Sequence, residues 1–100
     1  MTRQELLLVI LMEESCELAQ TTSKAVRFGV NEWHKDNIDT EPNKVRMNKE
    51  FNEVLALIEM LDELGLARSP RLIKAKKEKV EKFLLYSEKC GVLSPEQEKG

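Results

Sequence analysis

Four glutamates are spaced so that they can act together on one ligand. Glu14 and Glu17 stand three residues apart in one predicted helix, and Glu50 and Glu53 repeat that spacing in the next. At about 100° of rotation per residue, each pair lies one turn apart on a single flank of its helix, beside the apolar stripe. If the two helices are antiparallel neighbours, both flanks fall on the same side and the four carboxylates converge.

Converging carboxylates repel one another and raise one another's pKa unless a cation lies between them. Ligation by carboxylate oxygens alone suits Mg²⁺ or Mn²⁺ better than Zn²⁺, and bound Mg²⁺ commonly engages substrate phosphates as well. The pattern therefore indicates a divalent-cation site. A salt-bridged, partly exposed acidic flank explains the same spacing, and the residues alone leave both interpretations open.

Other acidic pairs in the chain have the same spacing. The sequence holds 15 glutamates, so pairs three residues apart also arise by chance, as Glu78 and Glu81 do. Glu59 and Asp62 form a competing pair, but they are offset from the apolar stripe in the opposite sense. That offset places them on the other side of the helix pair, so we prefer Glu50 and Glu53.

Helical periodicity and end signals predict three α-helices that position these acids. Helix one spans about 3–28 and ends at Gly29, helix two spans about 44–65 with Asn43 as its cap, and helix three spans about 70–90 after Ser69. The segment 30–42 has no periodicity and is predicted to be a loop. The predicted fold is all-α, an antiparallel hairpin plus a third helix. The predicted apolar stripe of helix two is Met47, Phe51, Val54, Ile58 and Leu61.

The length of 100 residues predicts one domain, over 1–91, followed by a polar tail at 92–100. The two cysteines belong to no Cys/His cluster, so neither a disulfide framework nor a zinc site is expected, and a reducing cytoplasm fits best. The longest apolar run, 6–12, is much shorter than the roughly 20 residues of a membrane span. No membrane or secretory role is expected.

Charge and burial indicate which partners the chain has. Residues 66–89 carry eight basic and three acidic side chains, yet the sequence pI of about 5.5 and the lack of interleaved aromatic residues argue against nucleic acid as the main partner. The apolar run 6–12 covers the whole circumference of helix one, which is more than one hairpin partner and a third helix can bury. We therefore expect a subunit interface in a homodimer or homotetramer.

The acidic motifs resemble a known family. The run EESCE at 13–17, followed by EFNEVL at 50–55, resembles the E-E-x-x-E and E-x-x-D signature of MazG-like all-α nucleoside triphosphate pyrophosphohydrolases, especially small phage and bacterial members. The resemblance covers about residues 4–87. Two departures stand out: Glu53 replaces the usual Asp, and the interval between Glu17 and Glu50 is longer than is usual.

The resemblance implies Mg²⁺-dependent hydrolysis of a nucleoside triphosphate, in particular a deoxynucleoside triphosphate, to the monophosphate and pyrophosphate. By position, the metal ligands would be Glu14, Glu17 and Glu50, with Glu53 as a substituted fourth ligand. Glu13 would be a further ligand or a base that orients water. A triphosphate also needs positive charge from the protein, for which the candidates are Lys24, Arg27 and Arg46. Trp33 and His34 are candidates to contact the base or the ribose.

Two alternative functions remain open from the sequence. One is a related all-α phosphohydrolase with another substrate, such as phosphoribosyl-ATP. The other is a non-enzymatic helical dimer that binds a protein partner. The resemblance favours the nucleotide pyrophosphohydrolase and a cytoplasmic location, in a bacterium or in a phage-infected host.

Overall fold

The computed structural model describes residues 1–31 and 41–94, and throughout these residues the chain is helical or irregular, without a strand. The α-helices are α1 (Arg3–Phe28), α2 (Asn43–Met60) and α3 (Pro70–Lys89), and a short 3₁₀ helix spans Asp62–Leu64. The prediction of an all-α chain with three α-helices is confirmed. The chain divides into two compact units, Met1–Ala67 and Arg68–Gly100, which are called unit 1 and unit 2. The predicted boundaries of a 1–91 domain and a 92–100 tail stay a prediction.

The first helix begins at a capping box. The Thr2 hydroxyl accepts a hydrogen bond from the Glu5 amide at 3.1 Å, and the Glu5 carboxylate accepts one from the Thr2 amide at 3.2 Å. These two bonds satisfy amides that an α-helix leaves without intrahelical partners. The helix ends before Gly29, whose φ of 101° is unfavourable for residues with a side chain. The predicted span of 3–28 is confirmed.

In unit 1, α1 and α2 pack against each other as an antiparallel pair. The end of α1 is tied to the start of α2, because the buried Asn43 side chain donates a hydrogen bond to the Gly29 carbonyl at 2.9 Å. The Lys44 amide also donates to the Val30 carbonyl at 2.8 Å. The prediction that Asn43 caps α2 is wrong, since its amide group bonds across the hairpin and α2 has no side-chain cap.

The helical segment that begins with α2 changes from α-helical to 3₁₀ geometry before it ends. The α-helical part ends at Met60, earlier than predicted, and the 3₁₀ turn that follows brings the chain to Gly65. Gly65 has a φ of 75°, in the left-handed region that closes helical segments. The fully buried Leu61 lies at the junction, where its amide donates to the carbonyls of Leu57 and Ile58. The predicted stop at Gly65 is therefore correct for the segment, but the last turn is 3₁₀.

The core of unit 1 is small. Its buried apolar side chains are Leu7, Ala25 and Leu61. Phe51, which periodicity assigns to the buried stripe of helix two, is 50% exposed, because two packed helices can cover only one face of each other. Each large apolar side chain left in water forfeits about 1.5–3 kcal/mol of burial free energy. Large apolar side chains of α1 and α2 therefore stay exposed on unit 1.

Unit 2 contains α3, whose start follows the predicted signal. The Ser69 hydroxyl accepts a hydrogen bond from the Leu72 amide at 3.2 Å, and Pro70 occupies the first helical position. Every residue of α3 is exposed except Ser87. None of the helices in the described part of the chain is long and apolar enough to cross a membrane.

Candidate metal centre

The antiparallel pairing of α1 and α2 brings the four glutamates together. Glu14 and Glu17 lie one turn apart on α1, and Glu50 and Glu53 lie one turn apart on α2. One carboxylate oxygen of each residue lies within 4.8 Å of the corresponding oxygen of the other three. Within residues 1–31 and 41–94 this is the only such cluster of three or more acidic, histidine or cysteine side chains. The convergence expected from the helix geometry is observed.

One carboxylate oxygen of each inner glutamate, Glu14 and Glu50, lacks a hydrogen-bond donor. Glu14 and Glu50 are half-buried, whereas Glu17 and Glu53 are exposed. Glu14 Oε2 and Glu50 Oε2 are each shielded from solvent, and no hydrogen-bond partner among the described residues reaches either oxygen. Leaving a buried acceptor without a partner is unfavourable, so such atoms call for an explanation. A cation between the two helices would satisfy both oxygens.

Binding of protons is the alternative way to reduce the repulsion among the four carboxylates. The pKa of Glu14 is raised from 4.5 to about 7, first by a hydrogen bond shared with the Glu53 carboxyl group, then by burial and by the negative charges of Glu17, Glu53 and Glu50. The pKa of Glu50 is also raised, first by burial and then by a hydrogen bond and charge repulsion from Glu53 and by Glu17. The metal-free cluster therefore retains protons that isolated carboxylates would release.

This shift predicts that the metal-free protein loses stability as the pH rises. A carboxyl whose pKa is higher in the folded state than in the unfolded state stabilises the fold below its unfolded value, and this contribution disappears as the pH passes the folded value. For Glu14 the window runs from 4.5 to about 7. We expect the melting temperature in EDTA to fall across this window and Mg²⁺ to restore it above the window.

The control for this experiment is built into the chain. Glu14→Gln should flatten the pH dependence of the melting temperature and remove the Mg²⁺ effect, because no proton or cation is then bound at that position. Glu59→Gln removes an exposed glutamate of α2 that lies outside the cluster, and should leave both effects in place. A melting temperature that rises from pH 5 to pH 8 in EDTA would contradict the shift.

The cluster fits a hard divalent cation in both chemistry and size. Mg²⁺ binds oxygen ligands at about 2.1 Å, so two ligands on opposite sides of the ion are about 4.2 Å apart. The observed separations reach at most 4.8 Å, so a side-chain movement of well under 1 Å closes the set on one ion. All four donors are carboxylate oxygens, which Mg²⁺ and Mn²⁺ prefer. The residues present therefore fit the predicted Mg²⁺.

The other predicted site residues have varied surroundings. Glu13 is exposed and does not belong to the cluster, and neither do Glu59 and Asp62. Among the predicted phosphate contacts, Lys24 and Arg46 are half-buried, whereas the guanidinium of Arg27 lies over the Phe28 ring, 5.1 Å from its centroid. Trp33 and His34, the predicted base or ribose contacts, lie outside the described residues.

Comparisons with protein-family models, with curated proteins and with solved structures find no match. Its function is therefore inferred from the residues, from the motif resemblance over about 4–87 and from the geometry of the four glutamates.

Proposed function

We propose that the protein is a Mg²⁺-dependent pyrophosphohydrolase that converts a nucleoside triphosphate, in particular a deoxynucleoside triphosphate, to the monophosphate and pyrophosphate. The observation that carries the proposal is the cluster of four carboxylates from two antiparallel helices, two of whose oxygens are buried without a partner. The resemblance of 13–17 and 50–55 to the MazG-like signature supports the same reaction. The cluster alone supports cation binding, and the resemblance supplies the substrate class.

Each glutamate has a distinct role in the proposal. Glu14 and Glu50 hold the ion from the half-buried side of the cluster, while Glu17 and Glu53 complete the set from the exposed side. When bound, Mg²⁺ neutralises phosphate charge and stabilises the charge that develops during an in-line displacement at phosphorus. Glu13 is exposed on the neighbouring flank, where it acts as a base that orients the attacking water.

Basic side chains extend the site toward the connected end of the hairpin. Lys24 lies two turns beyond Glu17 on α1, and Arg46 lies one turn before Glu50 on α2. Both are half-buried, so their stems are held against the hairpin. We assign them to the phosphate oxygens of the substrate, with Arg27 as a further candidate. Trp33 and His34 stay the candidates for the base or ribose.

The cellular location is part of the proposal. Cys16 and Cys90 are free and exposed, which is compatible with a reducing compartment. The substrates named above are also cytoplasmic metabolites. We therefore propose a cytoplasmic enzyme, in a bacterium or in a phage-infected host, whose partner is a nucleotide.

The experiment that tests the proposal is a nucleotide panel assayed for pyrophosphate. The four ribonucleoside triphosphates, the four deoxynucleoside triphosphates, dUTP and phosphoribosyl-ATP are incubated with the full chain, with Mg²⁺, Mn²⁺ or EDTA. We expect metal-dependent release of equimolar monophosphate and pyrophosphate from at least one triphosphate. Release only from phosphoribosyl-ATP would move the function to the related phosphohydrolase, and no release from any substrate would contradict a pyrophosphohydrolase.

Glu53 gives a second prediction, because it stands where the resembling family has Asp. If Glu53 is the fourth ligand, then Glu53→Asp should retain or raise turnover, since the shorter carboxylate is still able to reach the ion. Glu53→Gln should lower turnover, because it removes a ligand charge. The measurement is kcat and the Mg²⁺ concentration needed for half-maximal activity.

The competing acids provide the controls for Glu53. Glu59→Gln and Asp62→Asn change exposed acids of the same unit that are outside the cluster, and we expect turnover to change little in either variant. A greater loss from Asp62→Asn than from Glu53→Gln would move the site to the other side of the hairpin.

A further inference from the structure

The pairing of the four glutamates defines the register of the hairpin in unit 1. Glu14 shares a hydrogen bond with Glu53, and Glu17 shares one with Glu50, so each pair lies face to face across α1 and α2. Residues after Glu17 and before Glu50 therefore lie toward the end at which the two helices are joined, and residues before Glu14 and after Glu53 lie toward the other end. These are called the connected end, 18–31 and 41–49, and the open end, 4–13 and 54–67.

The two ends of the hairpin carry opposite charge. The connected end has five basic side chains and one acidic side chain, whereas the open end has five acidic side chains and no basic one. The basic members are Lys24, Arg27, Lys44, Arg46 and Lys49, and the acidic members of the open end are Glu5, Glu13, Glu59, Asp62 and Glu63. A charge distribution of this kind attracts a polyphosphate to the connected end and repels it from the open end.

On the flank that carries the glutamates, the open end presents three apolar side chains. Ile10 lies four residues before Glu14, and Leu57 lies four residues after Glu53, so each continues the flank of its helix by one turn. Both are half-buried, and Met60, three residues beyond Leu57, is 49% exposed. These three side chains are called the apolar zone. The base of a nucleotide is flat and uncharged, and sites for such groups are lined mainly by apolar side chains.

We infer that the nucleotide lies along this flank with its base on the apolar zone and its β- and γ-phosphates toward Lys24 and Arg46. The inference rests on the proposed function, which supplies a nucleoside triphosphate as the ligand. The bridge between the α- and β-phosphates then lies at the glutamate cluster, between the apolar zone and the connected end. In the reverse orientation the phosphates would meet the acidic open end, and the base would lie among basic side chains. The charges of the two ends therefore favour one orientation.

Calorimetric binding to the full chain with Mg²⁺ tests the orientation with three kinds of probe. They are inorganic pyrophosphate, the deoxynucleoside monophosphates, and deoxynucleoside triphosphates with a non-hydrolysable α,β-imido bridge. Leu57→Ser should weaken the monophosphates and the imido analogues about tenfold and leave pyrophosphate within about twofold of the wild type. Lys24→Gln should weaken pyrophosphate and the imido analogues about tenfold and leave the monophosphates within about twofold.

Matched control variants change the same residue types on the other side of α2. Leu55→Ser alters a half-buried leucine two residues from Leu57, and Lys44→Gln removes a charge from an exposed lysine of the connected end. Both should leave the affinity for every probe within about twofold of the wild type. Met60→Ser repeats the test of the apolar zone at an exposed position, so it keeps the test decisive if Leu57→Ser lowers the helix content measured by circular dichroism.

Several outcomes would overturn the orientation. They are weaker pyrophosphate binding by Leu57→Ser, weaker monophosphate binding by Lys24→Gln, and no binding of any probe by the wild type. Wild-type affinity for the imido analogues in both Leu57→Ser and Met60→Ser would also overturn it, and a loss in Trp33→Ala would then assign the base to that residue. The imido analogues report binding without hydrolysis. A chain that binds them as expected but releases no pyrophosphate from the hydrolysable triphosphates would therefore contradict the proposed reaction and support the orientation.

Discussion

Replacing either Glu14 or Glu50 by glutamine is expected to abolish Mg²⁺-dependent turnover without changing the fold. Glutamine keeps the volume of the side chain and removes the ligand charge. These two residues supply the buried oxygens of the cluster, so the other glutamates cannot replace them from the exposed side. We expect kcat to fall about 100-fold or more, which corresponds to the loss of interactions that stabilise the transition state.

The stability of these variants separates a metal site from an ordinary structural one. Above pH 7 and without metal, Glu14→Gln should be at least as stable as the wild type, because it removes a carboxylate whose pKa its neighbours raise to about 7. Glu78→Gln on α3 serves as a control that should affect neither property. Turnover retained within about twofold in either cluster variant at saturating Mg²⁺ would reject the site.

The second large effect is expected on assembly. Leu6, Leu8 and Met12 are exposed on α1 although they belong to the apolar run 6–12, and the half-buried Val9 lies among them. A second copy that covers these side chains recovers about 1.5–3 kcal/mol for each one. If the predicted dimer forms through this surface, Val9→Glu should weaken it about 100-fold or more, because it places a charge there. If the nucleotide binds near the subunit boundary, turnover should fall together with the affinity between the subunits.

Mass measurement by light scattering over a range of concentrations tests this expectation. Gln20→Glu adds the same charge to an exposed position on the other half of α1 and should leave the dimer intact. A monodisperse wild-type mass near 11.6 kDa at micromolar concentration, with activity retained, would contradict an obligate oligomer.

Local signals in the sequence were sufficient for most helix boundaries. Gly29 and the Ser69-Pro70 pair act within one turn of the ends that they define, so the C-terminal end of α1 and the start of α3 could be predicted. The Thr2 to Glu5 capping box is visible in the sequence as a T-x-x-E pattern, which also marks the start of α1. The bond from Asn43 to Gly29 could not be predicted, because it joins residues 14 positions apart across the hairpin.

The candidate site was predictable for a different reason. Each pair of glutamates is spaced three residues apart and offset by a similar angle from the apolar stripe of its helix. Two such pairs converge when their helices are antiparallel neighbours, so the positions of Glu14, Glu17, Glu50 and Glu53 followed from helix geometry. The unpartnered oxygens of Glu14 and Glu50 depend on the distance between α1 and α2 and on rotamers, which a pattern does not determine. The surroundings of Lys24 and Arg46 depend on the same details.

Calorimetric titration of the metal-free protein with Mg²⁺, and with Mn²⁺ as the tighter probe, tests most directly whether the four glutamates form one cation site. The full chain at pH 7 should bind the ion with protons released from the cluster, since Glu14 is partly protonated there at a pKa of about 7. Glu14→Gln and Glu50→Gln should each eliminate that binding, while Glu59→Gln should bind as the wild type does. Equal binding by all four proteins, or no binding by the wild type at millimolar Mg²⁺ and Mn²⁺, would contradict a metal centre at these residues.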